Sequence, residues 1–145
     1  MKVYLDMCSI QRPLDSRDQV RVALEAEAIL GILRICQAGR LEIIGSEVLH
    51  FELRNNPDPV RREYAEGVLK RATIFQPTSD QVELRAGRLR AAGLKPIDAL
   101  HLASALEADA DYFCTCDDRL VKRARSADTG RTRVLLPVEL AAEVA

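Results

Sequence analysis

Four acidic residues in this chain stand where an α/β fold can gather them. Asp6 directly follows the apolar run Val3-Tyr4-Leu5. Glu52 lies between Phe51 and Leu53 in a segment of helical pattern. Asp98 falls in the first turn of a helix whose inward positions are otherwise apolar. Asp117 comes one short step after Tyr112-Phe113-Cys114. Each has an ordinary structural explanation when taken singly. Asp6 can open a turn, Glu52 can be a solvated helix residue, Asp98 can favour a helix dipole, and Asp117 or Asp118 can be an N-cap. Four carboxylates that converge repel one another, and some stay protonated unless a cation neutralises them. An all-carboxylate set suits a hard cation, Mg²⁺ or Mn²⁺. Such an ion can turn a water into a nucleophile and offset charge on a phosphate in the transition state. No His, Cys or Lys is needed for that chemistry.

The elements that must position these acids follow from periodicity. Val3 to Leu5 reads as a short buried strand, and a polar loop with Arg12, Pro13 and Asp15 follows. From about Asp18 to Ala38 the pattern is helical, with Leu24, Ala28, Ile32, Ile35 and Cys36 on one face and Gly39 as the stop. Leu41 to Ile44 is a second strand. Ser46 is an N-cap candidate for the helix that carries Glu52, and a further helix starts near Pro57 to Pro59 and runs to Lys70. Thr73 to Phe75 is a short strand. A helix capped by Ser79 or Thr78 then runs to Ala92, and another starts at Pro96 with Ala99, Leu102, Ala103 and Leu106 inward. Tyr112 to Cys114 is a strand, followed by a helix to about Ala124. Val134 to Leu136 is the last strand, and Pro137 begins a terminal helix. Strands alternating with helices imply one three-layer α/β/α sandwich over residues 1–145 with a central, mainly parallel sheet. Sites in such sheets form beyond the carboxyl ends of the strands.

The chain has 145 residues, 48% of them apolar, enough for a real core. No apolar run is long enough to span a membrane, and Met1 to Asp6 reads as a strand rather than a leader. A soluble, cytoplasmic protein is the expectation. The formal net charge is −1, so taking away the four acids leaves +3. An acidic pit in a mildly basic surface suits a polyanion bound through its backbone. Of the 21 basic residues 17 are Arg, the better fork for phosphate, although a solvated surface explains the excess equally. Cys8, Cys36, Cys114 and Cys116 show no zinc-type spacing and read as buried, reduced thiols.

These acids resemble the PIN domain, especially its small VapC-like prokaryotic branch, and the resemblance covers nearly the whole chain. Pro96-Ile97-Asp98-Ala99-Leu100-His101-Leu102-Ala103-Ser104-Ala105 is similar to the family's D-A-x-x-x-A-x-A segment, with Asp98 as its acid. Phe113-Cys114-Thr115-Cys116-Asp117-Asp118 is similar to its T-x-D motif. Val3-Tyr4-Leu5-Asp6 matches the first-strand acid. Ser46 to Glu52 matches the S-x-x-x-x-x-E helix. The resemblance implies a metal-dependent endoribonuclease, frequent homodimers and, in many members, a small antitoxin partner. It implies catalytic and metal-holding roles for Asp6, Glu52, Asp98 and Asp117. Thr115 would orient a carboxylate or water, and Asp118 can share the work of Asp117. The chain departs from the pattern directly after the first acid, where Asp6-Met7-Cys8-Ser9 leaves Ser9 as the nearest hydroxyl.

Arg12, Arg54 and Arg119 follow or flank matched acids, where they can hold phosphate or equally form surface ion pairs. His101, three residues beyond Asp98, can touch substrate or tune Asp98 but reads rather as a packed histidine with satisfied nitrogens, and His50 as structural or at an interface. With no Trp and few other aromatics, base stacking is poorly supported. Two other readings are a non-catalytic nucleic-acid-binding module, opposed by intact acids at all four positions, and a nuclease acting on DNA. An aspartyl-nucleophile phosphatase would want an acid where Cys8 stands.

Overall fold

Short apolar runs rich in β-branched and aromatic residues form five strands in the computed structural model, which describes residues 1–145. They are β1 (Lys2–Leu5), β2 (Glu42–Ser46), β3 (Ile74–Gln76), β4 (Tyr112–Cys114) and β5 (Arg133–Leu135). All pair in parallel, in the order β3-β2-β1-β4-β5. Val3 stands opposite Ile43 on one side and Tyr112 on the other, and Leu5 opposite Cys114. Parallel strands need crossover connections, and these supply the covering helices. Eight helices do so: α1 (Met7–Gln11), α2 (Val20–Gln37), α3 (Glu47–Arg54), α4 (Pro59–Leu69), α5 (Asp80–Ala91), α6 (Pro96–Glu107), α7 (Asp118–Arg125) and α8 (Pro137–Val144). Val3, Tyr4 and Leu5 are all fully buried, so β1 is covered on both faces. This is the α/β/α sandwich that the alternation implied.

The core is one contiguous cluster of 35 buried residues, running from Val3 to Leu140. Helix starts are fixed locally: Ser46, Asp58 and Ser79 each accept a backbone N–H from the first turn they precede. Gly39 (φ +77°) follows α2 and Gly93 (φ +105°) follows α5, each in the left-handed conformation that ends a helix cheaply only with glycine.

The structure corrects three local expectations. Residues 7–14 are not an open loop; they form α1 and a 3₁₀ turn at Arg12–Leu14. Met7, Ile10 and Gln11 are buried there, and five residues are too few to show a helical period. In α2 the inward residues are Glu25, Ala26, Ile29, Ile32 and Leu33, while Leu24 is exposed. A helix with apolar residues nearly all round does not announce which stripe is inward. Cys114 and Cys116 are buried, but Cys8 is exposed and Cys36 half-buried, and all four thiols are free.

Asp111 staples the start of the sheet. Its carboxylate accepts the Lys2 backbone N–H at 2.7 Å and Arg131 Nη1 at 2.6 Å. Burial opposes its charge, but Lys2 and Arg131 outweigh that and hold its pKa below the usual carboxylate range. The folded chain therefore binds this proton more weakly than the unfolded chain. The resulting stability is present above the ordinary carboxylate pKa and is lost as pH falls through the lowered one. Asp111→Asn should cost about 1 kcal/mol at neutral pH, a melting-temperature loss of about 3 °C. Melts repeated at falling pH should show the difference from wild type closing.

Candidate acidic site at the carboxyl end of the sheet

The chain builds outward from β1 through β2 to β3, then returns across β1 to place β4 on its other side. That reversal opens a crevice between the carboxyl ends of β1 and β4. Asp6 is the first residue beyond β1, and its backbone N–H still bonds the Cys114 carbonyl at 3.0 Å. Thr115, the first beyond β4, is likewise tied to β5 through the Leu135 carbonyl at 3.1 Å. Both acid and hydroxyl are thus carried on ladder-bonded backbone. Thr115 Oγ1 donates to Asp6 Oδ2 at 2.8 Å and accepts the Asp117 N–H at 3.2 Å.

Glu52 arrives from the other side. Ser46 ends β2 and caps α3, accepting the Leu49 N–H at 3.2 Å. The same hydroxyl lies 2.7 Å from the Tyr4 hydroxyl. Tyr4 Oη lies 2.6 Å from His101 Nδ1, and His101 Nε2 lies 2.5 Å from Glu52 Oε1. Ligand atoms of Asp6, Glu52 and His101 all fall within 4.8 Å of one another. Asp6 and His101 are buried and Glu52 is a third exposed.

Asp98 and Asp117 are not part of that compact group. Asp98 is half-buried in the first turn of α6, and its side chain makes no hydrogen bond. Burial, followed by the charges of Asp6 and Asp117, raises its pKa against the opposing pull of His101 and Lys95. Those charges share one field, therefore. Asp117 caps α7, its Oδ1 accepting the N–H groups of Arg119 and Leu120 at 2.9 and 3.2 Å. Its second oxygen is uncommitted. Burial would lower the pKa of His101, but the Glu52 hydrogen bond and the charges of Asp6, Glu52 and Asp98 raise it.

The flanking residues divide differently from their sequence positions. Asp118 points away to a bidentate pair with Arg21. Ser9 donates to the Cys114 carbonyl at 3.2 Å, so its hydroxyl supports backbone rather than a carboxylate. Arg12 is committed to Asp15 at 2.9 Å and to buried Glu25 at 3.1 Å. An open groove of about 510 Å³ runs beside Asp117. Of its four cations, Arg12 and Arg21 are paired, while Lys95 and Arg119 form no ion pair. Sequence reasoning did not single out Tyr4 or Lys95 for the site, and it took Ser46 as the cap and motif serine of the Glu52 helix without its bond to Tyr4. Tyr4 looked like one more core aromatic, and only the strand order brings it to His101.

A doubly wound parallel sheet with carboxylates at its switch point defines an α/β protein whose donor set fits a divalent cation. The family model of the PIN domain matches residues 3–126, and the chain belongs to that family. Its members are generally nucleases that use divalent metals. A solved structure, VapBC2 from Rickettsia felis bound to a DNA fragment from their promoter, contains a chain of similar fold. The TM-score is 0.60 over 93% of this chain and 99% of that one, at 13% identity. No curated protein matches the sequence. No helix is long and apolar enough to cross a membrane.

The raised pKa of Asp98 has a measurable consequence for the metal-free chain. The folded state holds that proton more tightly than the unfolded state, so stability falls as pH rises from the ordinary carboxylate pKa through the raised one. Asp98→Asn should flatten that slope and melt above wild type at neutral pH in a chelator. A variant that melts lower, or shows the same slope, would refute the repulsion.

Proposed function

We propose that residues 1–145 form one metal-dependent endoribonuclease domain, with Asp6, Glu52, Asp98 and Asp117 holding Mg²⁺ or Mn²⁺. The observation that carries this reading is the meeting of Asp6 and Glu52 at the switch point of a PIN-family sheet, within the field of Asp98 and Asp117. When bound, the cation would acidify a water and offset charge on the scissile phosphate. The residues supply the rest. Asp6 is fixed on β1 by its ladder bond and oriented by Thr115, so it costs little reorganisation. Asp117 keeps one oxygen free because the other is committed to α7. Lys95 and Arg119, unpaired in the groove, are placed to take flanking phosphates. Arg12 is the weaker candidate for that role, because its guanidinium is already paired.

A small antitoxin is proposed as a partner, on family grounds and because the solved neighbour is a VapBC2 complex. A cytoplasmic homodimer completes the reading. Phe51 on α3 and Phe75 on β3 are both more than half exposed, apolar surface that a second copy would cover. Light scattering at micromolar concentration should give twice the 16.1 kDa chain mass, and a monomer would reject the dimer.

Catalysis is tested on labelled RNA and DNA pools with Mn²⁺ and an EDTA control. Asp6→Asn removes one charge and almost no volume, so it should stay folded and lose roughly a thousandfold in rate. Thr115→Ala should lose roughly 10- to 100-fold, the usual scale for an outer partner of a ligand. Arg119→Ala and Lys95→Ala should raise KM with kcat nearly unchanged and lessen the salt dependence. Activity that survives EDTA, or folded Asp6→Asn, would exclude the acid cluster as catalyst. Cleavage of DNA alone would redirect the substrate reading.

A further inference from the structure

We propose that His101 is a positioning residue for Glu52: its Nε2–H holds that carboxylate toward Asp6, with the Tyr4 hydroxyl locking the ring at Nδ1, so His101 stands behind the ligands rather than among them. The inference rests on the reading of Asp6 and Glu52 as cation ligands.

Distance separates the two roles. Two ligands at right angles on one ion, with bonds of about 2.1 Å, lie about 3 Å apart. His101 Nε2 and Glu52 Oε1 are 2.5 Å apart, which fits a charge-assisted hydrogen bond. A bare Nε2 at that separation would set lone pair against lone pair. With Glu52 as the charged carboxylate the proton belongs on Nε2, and a protonated nitrogen cannot ligate.

The surrounding bonds accept that assignment without leaving a donor unused. Leu49 N–H donates to Ser46 Oγ. Ser46 Oγ–H then donates to Tyr4 Oη, Tyr4 Oη–H to His101 Nδ1, and His101 Nε2–H to Glu52. Ser46, Tyr4 and His101 are each no more than 1% exposed, so no bulk water competes. Tyr4 is itself held by stacking on Phe113, with ring centroids 5.3 Å apart. The relay ties β2, β1 and α6 to α3, which carries Glu52 on a partly exposed side chain. Without a donor that side chain is free to leave the site, and ordering it would fall on the cation.

The test starts from metal-free protein labelled with ¹⁵N in its two imidazoles, His50 and His101. Long-range proton–nitrogen spectra should show His101 protonated at Nε2, and partly exposed His50 serves as the averaging control. Spectra repeated with Mg²⁺ should keep that proton. A bare Nε2 in either state overturns the proposal. Pulsed electron-spin spectra of the Mn²⁺ complex should lack imidazole nitrogen coupling; its presence would make His101 a ligand. By calorimetry, His101→Leu should bind Mn²⁺ about 10-fold or more weakly. His101→Gln, whose amide can still donate to Glu52, should recover most of that affinity. Equal affinity in wild type and folded His101→Leu also overturns it, and if the Leu variant does not fold, the Gln variant and the spectra decide. Wild type that binds no Mn²⁺ would sink the cation reading itself, recognisably so because the Nε2 proton would still be seen.

Discussion

Carboxylates brought to the end of one sheet repel, and the surroundings of each show how that repulsion is contained. Asp6 is met by the Thr115 hydroxyl and Glu52 by the His101 ring. Asp117 has one oxygen turned into the N-terminus of α7, where the helix dipole favours negative charge. Asp98 alone has no such partner. It is the acid whose pKa is raised, by burial and by Asp6 and Asp117. The uncompensated remainder is what a divalent cation would relieve. Asp118, by contrast, finds Arg21 and is drawn out of the problem.

The fold makes this concentration of charge tolerable by fixing backbone before side chains. β1 lies at the centre of the sheet, bonded on both edges, so Asp6 leaves it from a rigid position. The strand order sends the chain back across β1, which sets Thr115 beside Asp6 although 108 residues separate them in the chain. Glu25 and Arg12 show the converse use of charge. Buried Glu25 engages Arg12 and Arg21, a structural pairing between α2 and the turn after α1. That pairing consumes one arginine which, in sequence, flanks the site, and leaves Lys95 and Arg119 as the unpaired cations of the groove.

Much was legible in the sequence because it is locally encoded. Strand and helix alternation, the Ser46 cap, the glycine stops and the α/β/α class all depend on residues a few positions apart. The acids at strand exits and helix starts were visible for the same reason. Element boundaries moved by a residue or two, and α1 was missed because five residues cannot show a period.

Tertiary structure alone decided which side chains meet. Asp6 and Glu52 approach within 4.8 Å with His101 as the third member of the group, a meeting that no spacing in the sequence could show. The ring at position 101 was read as packed, and its packing proved to consist of Tyr4 on one nitrogen and Glu52 on the other. Tyr4 gave no signal, since a tyrosine in a buried strand looks the same whether its hydroxyl meets Ser46 and His101 or something else. The inward stripe of α2 and the pairing of Arg12, Arg21 and Asp118 were equally hidden. Residue types and short spacings set what each segment becomes. The contacts between segments depend on strand order and helix rotation, which are global properties of the packed chain.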